Sequence, residues 1–273
     1  MNILYKSYQT IKMSKLVQTP ETLNTSNVVF SELKKMGKGG AMMSYVNYKV
    51  DGKSQKLVIQ TPKMFAPFGA STFKQDGKPD QMPKYDVQLS LDTKDKKIKA
   101  LKEFLEGLDE LVCKHAASNK EWLKQLAYKN KKKKTVDEVA EDLEDNKYTP
   151  IFKAPRDEKY PGTFKAKVPV DWKTQQPAVQ LYGRNKQKLE LTFDNIEQLL
   201  PKLLEIKALV QISHVWFVSG KFGIVVKMLQ GLTFQKESLS GLSLLDDSDA
   251  EESEEEEEEA ESEVEVESEE DDE

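Results

Sequence analysis

Apolar and polar residues alternate along most of this chain, and a middle stretch instead repeats every three or four positions. Residues 28–61 read as strands. Within 41–50, Met42, Val46, Tyr48 and Val50 form one apolar face, and Tyr45, Asn47 and Lys49 point the other way. Asp51-Gly52 joins this strand to a partner at 56–61, a hairpin signal. Pro62, Pro67 and Gly69 break the pattern, and 75–83 is a polar loop. Tyr85, Val87, Leu89 and Leu91 then alternate with Asp86, Gln88 and Ser90. The period changes at Ile98, Leu101, Leu105, Leu108 and Val112, which with Phe104 and Leu111 predict a helix capped by Asp92 or Thr93. Asn119 opens a second helix containing Trp122, Leu123 and Leu126. Thr135 and Glu138 form a capping box for a third, ending near Leu143. Strand patterns resume at 163–170, 178–183, 189–193, 208–218 and 221–234. A helical segment over 194–206 is interrupted by Pro201, and Ser219-Gly220 is a tight turn.

Strands, about fifty residues of helix, then strands again predict a mainly β (α+β) fold. An OB-like Greek-key barrel with inserted helices fits, and so does a sandwich. Residues 1–27 are expected to be a partly disordered extension, 28–238 the domain with its helical insertion at 93–145, and 239–273 a disordered tail.

Charge sharpens this picture. The last 28 residues hold 20 acidic side chains and no Lys or Arg, so residues 1–245 keep all 41 basic groups against 27 acidic ones. The bulk charge of −6 thus hides a body near +14 and a tail of −20. The tail has only Val264 and Val266 to bury, and its charges repel one another. A basic body carrying its own polyanion points to a second polyanion as ligand, with nucleic acid foremost. The single cysteine, Cys113, excludes an internal disulfide and fits a reducing compartment. No signal peptide is expected, and no run approaches the ~20 apolar residues of a membrane span. The chain is expected to be intracellular, with no membrane partner.

The same alternation separates core from surface. Phe164, Ala166, Val168 and Val170 face inward, leaving Lys165 and Lys167 outside. Phe222, Ile224, Val226 and Met228 face inward, leaving Lys221, Gly223 and Lys227. Over 208–218, Val210, Ile212, Trp216 and Val218 are expected inside and Phe217 outside. Val179 and Leu181 are inward, and Tyr182 is outward with Arg184 just beyond. Tyr45, Lys49, Lys165, Lys167, Tyr182, Arg184, Phe217, Lys221 and Lys227 therefore combine cations for phosphates with rings for unpaired bases, a pairing that binds without reading sequence. Trp216, Phe222 and Tyr48 are assigned to the core. The run Lys131, Lys132, Lys133, Lys134 is a basic loop that would add salt-dependent affinity or serve as a nuclear-import signal. Solvated loops and outer strand faces also carry lysines.

Little in the chain suggests catalysis. His115 and His214 fall in a helix face and a core strand. One cysteine gives no zinc spacing, and GxxxxGK[ST] does not occur. Pro79-Asp80 with Asp95-Lys96-Lys97 is a poor match to a metal-dependent nuclease, because Asp95 opens a helix. No enzyme activity, cofactor or metal is expected.

The layout resembles the acidic-tailed, phage-type replicative single-stranded DNA-binding proteins, including their relatives in large nucleocytoplasmic DNA viruses. The resemblance is carried by Gly39-Gly40-Ala41-Met42-Met43-Ser44-Tyr45, residues 57–69, 84–91 and 214–223, and the tail. It implies coating of single-stranded DNA in replication and recombination, at a nuclear or cytoplasmic viral replication site. It also implies tail contacts to DNA polymerase and helicase. The acidic run Glu254, Glu255, Glu256, Glu257, Glu258, Glu259 and the terminal Asp271, Asp272, Glu273 would compete for the DNA groove or meet partners. The phage tails end in an aromatic residue, which this sequence lacks. A homodimer is a further candidate assembly. The rival reading is a histone or basic-protein chaperone working through its tail.

Overall fold

The alternation over 41–66 folds as two long strands. Asp51 and Gly52 between them both take positive φ, 50° and 75°, the two-residue turn whose twist suits a hairpin. The structure is a computed structural model describing residues 17–37, 40–73, 83–129, 133–155 and 157–234. In chain order the strands are β1 (Val17–Gln18), β2 (Val28–Phe30), β3 (Lys34–Lys35), β4 (Met42–Val50), β5 (Lys53–Ala66), β6 (Ala70–Phe73) and β7 (Lys84–Ser90). There follow β8 (Tyr148–Thr149), β9 (Phe152–Lys153), β10 (Thr163–Lys167), β11 (Gln180–Tyr182), β12 (Lys188–Leu189), β13 (Leu204–Val218) and β14 (Lys221–Thr233). The helices are α1 (Lys96–Ser118), α2 (Lys120–Gln125), α3 (Val136–Asn146) and α4 (Ile196–Leu199). The fold is mainly β, with α1–α3 inserted between β7 and β8. Packing divides the chain into Met1–Gln235 and Lys236–Glu273. Every described residue lies in the first unit, so the expectations for the acidic tail fall outside the described residues.

The β13–β14 hairpin is the spine. On one edge, β14 pairs with β10 in parallel, β10 with β7 and β7 with β6. On the other, β13 serves two partners in turn: Leu204–Ile212 lies against β5, and His214–Phe217 against β4. Pro62 does not end β5. Thr61 and Pro62 together oppose Ala208, so the missing N–H falls in a bulge, and Thr61 Oγ1 accepts the Ala208 N–H at 2.9 Å.

The helical period buries Ile98, Leu101, Phe104, Leu105, Leu108 and Val112 against the inner sheet face. Asp95, rather than Asp92 or Thr93, caps α1 by accepting from the Lys97 and Ile98 amides. Asn119 closes α1 and caps α2, and the Thr135–Glu138 capping box opens α3. Asp109, buried on α1, accepts from the Tyr148 hydroxyl and the Ile151 and Phe152 amides, which ties helix to strand. Cys113 is also buried on α1. Desolvation first, then Glu144 and Asp109, push its thiol far up from its ordinary range.

The expected N-terminal boundary moves. Val17–Gln18 pairs in parallel with Val58–Ile59, and the Tyr48 hydroxyl accepts the Asn24 amide at 2.9 Å, so residues 17–27 belong to the fold. The helical reading of 194–206 shrinks to α4, with β13 beginning at Leu204, and the strand at 189–193 shrinks to β12.

Candidate nucleic-acid interface

A β-bulge decides which residues reach the outer face of the spine. The β13–β14 register slips between Ile212 and His214, so Ser213 is an extra residue. A one-residue insertion inverts the alternation beyond it. Val210 and Ile212 remain inside, but past the bulge Val215 and Phe217 turn inward and Val218 becomes exposed. Phe217 therefore stands corrected as a stacking residue: it is 3% exposed. Its ring centroid lies 4.8 Å from that of Trp122 and 5.9 Å from that of Phe222, within the core. Trp216 is corrected in the opposite direction. It pairs with Gly223 on β14 and Met43 on β4, on the outward side. A Cβ at position 223 would come within 3.0 Å of Trp216 Cζ2 and 2.9 Å of the Thr149 carbonyl, so the indole fills the space above a strand that only glycine permits. Two adjacent polar residues, Ser213-His214, in a strand whose other polar residues, Glu205, Lys207 and Gln211, all fall on one face, are the sequence signal of this phase slip.

Tyr45 is directly opposite His214, two residues along the same face from Trp216. It is exposed, its amide donates to Ser31 Oγ at 2.9 Å, and Lys34 Nζ stands 5.4 Å over its ring. His214 is nearly buried and its Nδ1 lies 3.0 Å from Ser213 Oγ. Burial first, then Lys227 and Lys167, push its imidazole down to about 4, so it is neutral near pH 7.

Next to the aromatic pair lies a band of cations. Lys227 pairs across the parallel ladder with Lys167, which is itself opposite Asp86. Lys165 is opposite Gln88 and bonds Asp86 Oδ2 at 3.0 Å. Strand alternation sets Lys84 in phase with Asp86 and Gln88. The Lys167 side chain reaches the surface, yet its ammonium is held below its ordinary range. Partial desolvation is the main cause and Lys165, Lys84 and Lys227 add to it, while Asp86 opposes. Lys84 was legible from alternation alone and was missed.

Further along, a second bulge near Leu209 restores the phase. Gln230 and Leu232 lie opposite Leu209 and Lys207, and β11 adds Gln180 and Tyr182 beside them. Tyr182, Lys186, Lys207, Gln60 and Gln230 line a shallow cleft of about 370 Å³. Arg184 is exposed in the turn just beyond Tyr182. Lys49 is exposed on the β4–β5 hairpin, and Lys221 is exposed at the start of β14 beside the Ser219-Gly220 turn.

The structure thus brings Tyr45, Lys165, Lys167, Tyr182 and Lys227 onto one sheet face and adds Trp216. In the basic loop, Lys133 is exposed and Lys134 is held by Asp142 at 3.1 Å. Lys131 and Lys132 lie outside the described residues. His115 packs against Phe30 and Trp122. Among the described residues, no group of His, Cys, Asp and Glu could hold a metal, and no helix is long and apolar enough to cross a membrane.

No protein-family profile and no curated protein matches the chain. Solved structures similar to it include the single-stranded DNA-binding protein of bacteriophage Enc34. That likeness has 14% identity and a TM-score of 0.37, covering 81% of this chain and 98% of that one. The same phage protein in complex with single-stranded DNA gives 12% identity and a TM-score of 0.38, covering 78% and 98%. The bacteriophage T7 single-stranded DNA-binding protein gp2.5 gives 15% and 0.40, covering 69% and 97%. Values this low assign neither family nor ligand to the chain.

Proposed function

We propose that this protein binds and coats single-stranded DNA, without strong sequence preference, in DNA replication and recombination. The supporting observation is the outward face of the β13–β14 spine, where Tyr45 and Trp216 adjoin the Lys167–Lys227 pair and the Tyr182 cleft. Unpaired bases offer π-faces to such rings, and their phosphates take the ammonium groups. Stacking is indifferent to base identity. A duplex hides its base faces, so this surface favours unpaired strand. An OB-like plan of strands suits the role. The acidic tail, −20 against a body near +14, competes for the lysines when DNA is absent. Incoming strand releases it to meet replication partners such as polymerase and helicase.

The test is titration of oligo-dT against the full chain at several salt concentrations, with histone capture run in parallel. Binding should weaken with a log–log slope near −0.7 per phosphate neutralised. Removing 246–273 should tighten binding at low salt and reduce the preference for single strands over duplex. Unchanged affinity would refute the competing tail. A chain that captured histones and ignored oligo-dT would refute the proposal outright.

A further inference from the structure

Trp172 is 76% exposed, and its side chain does not help hold the fold together. The loop that presents it is nevertheless tightly built. Asp171 Oδ1 accepts the Lys173 and Thr174 amides at 2.8 and 2.9 Å, and the Gln175 amide donates to the Asp171 carbonyl at 2.9 Å. Gln175 adopts a left-handed φ of 57°, and its Nε2 donates to the Trp172 carbonyl at 2.6 Å. The base is closed by the Val170–Pro177 bridge and by the Ala178 amide donating to Pro169. An indole on an ordered loop, left in water, is a preorganised contact whose ordering entropy is already spent.

The surroundings indicate the ligand. Residues 173–176 are Lys, Thr, Gln and Gln, all exposed, so the loop that follows the ring is polar rather than the apolar cluster of a protein-docking anchor. Lys173 Nζ lies 5.2 Å from the ring centroid. A flat π-face with a cation beside it matches a base and its phosphate. The loop also continues from β10, which carries Lys165 and Lys167. Trp172 lies five positions on from Lys167, a reach of at most about 18 Å.

We propose that the 171–176 loop is a base-stacking finger, a second contact for unpaired nucleic acid outside the sheet face, with Trp172 as its platform and Lys173 as its phosphate partner. This rests on the single-strand reading above. The test uses the full chain and fluorescently labelled oligo-dT, with the unaltered protein measured first. Trp172→Ala should weaken binding about tenfold without lowering the melting temperature or changing the salt slope, because the ring is neutral. Trp172→Phe should recover most of the loss. In a Trp216→Phe chain, Trp172 is the one exposed indole, since Trp122 is buried, and saturating oligo-dT should quench it. Unchanged affinity in Trp172→Ala, or no quenching in Trp216→Phe, overturns the finger and leaves the sheet-face reading intact. If Trp172→Ala instead loses only capture of a protein, the loop is a protein-docking site and the proposal fails. Failure of the unaltered chain to bind oligo-dT overturns the broader reading and the finger with it.

Discussion

Replacing Lys227 by glutamine should make the free protein more stable and its complex weaker. Lys227 is set directly opposite Lys167 across β14 and β10, with Lys165 and Lys84 close enough to bear on the same ammonium. Like charges facing each other on a sheet cost roughly 0.2–1 kcal/mol. Glutamine keeps most of the stem and removes the charge, so this amount returns to the folded state. For a domain of this size that raises the melting temperature by up to about 4 °C. The same change removes one phosphate contact, so the slope of log affinity against log salt should become shallower by about 0.7. Thermal melts of the free chain, paired with oligo-dT titrations at three or more salt concentrations, measure both. A variant that is less stable, or whose salt slope is unchanged, refutes the reasoning. Lys165→Gln is the contrast. It strips Asp86, whose side chain is 14% exposed, of the cation at 3.0 Å, so its stability should fall.

The bulge makes opposite forecasts for neighbours. Phe217→Ala should cost about 3–5 kcal/mol in chemical unfolding, as a buried ring truncated to a cavity. Trp216→Ala should leave stability much closer to that of the parent and weaken oligo-dT binding by roughly five-fold or more. The reverse pairing of effects would place the phase slip elsewhere. Asp109 gives a pH signature. Burial chiefly raises its carboxyl to about 6 from 3.8, against the pull of the Tyr148, Ile151 and Phe152 donors. The folded chain therefore holds a proton that the unfolded chain releases earlier. That stabilisation is complete below about pH 4 and is lost as pH rises through about 6, a swing of up to about 3 kcal/mol. Urea unfolding from pH 4.5 to 7.5, compared with Asp109→Asn, isolates it. Parallel profiles for the two chains would count against a raised carboxyl.

Local chemistry was readable from sequence where a single residue type decides geometry. Asp51-Gly52 fixed the hairpin, Thr135 with Glu138 fixed the start of α3, and alternation fixed the faces of β4, β7 and β10. Phase is different, because it accumulates along a strand. One inserted residue at 213 reversed Trp216 and Phe217, three and two positions before the turn at Ser219-Gly220, and a strict period-two count does not record it. Long-range pairing was equally hidden. Pro62 reads as a terminator until β13 supplies a partner strand that slips opposite it. Residues 17–27 look like an extension until β5 and Tyr48 receive them. The lysines were individually visible. Their crowding was not, because the Lys167–Lys227 pairing is parallel and joins strands far apart in the chain.

The burial of Cys113 has a practical consequence. A thiol nucleophile must be ionised and reachable, and this one is neither. The natural chain should therefore resist maleimide reagents while folded and react once denatured. A new cysteine at an exposed position such as Glu205 would then be the sole attachment point for a dye, with no need to delete the native one.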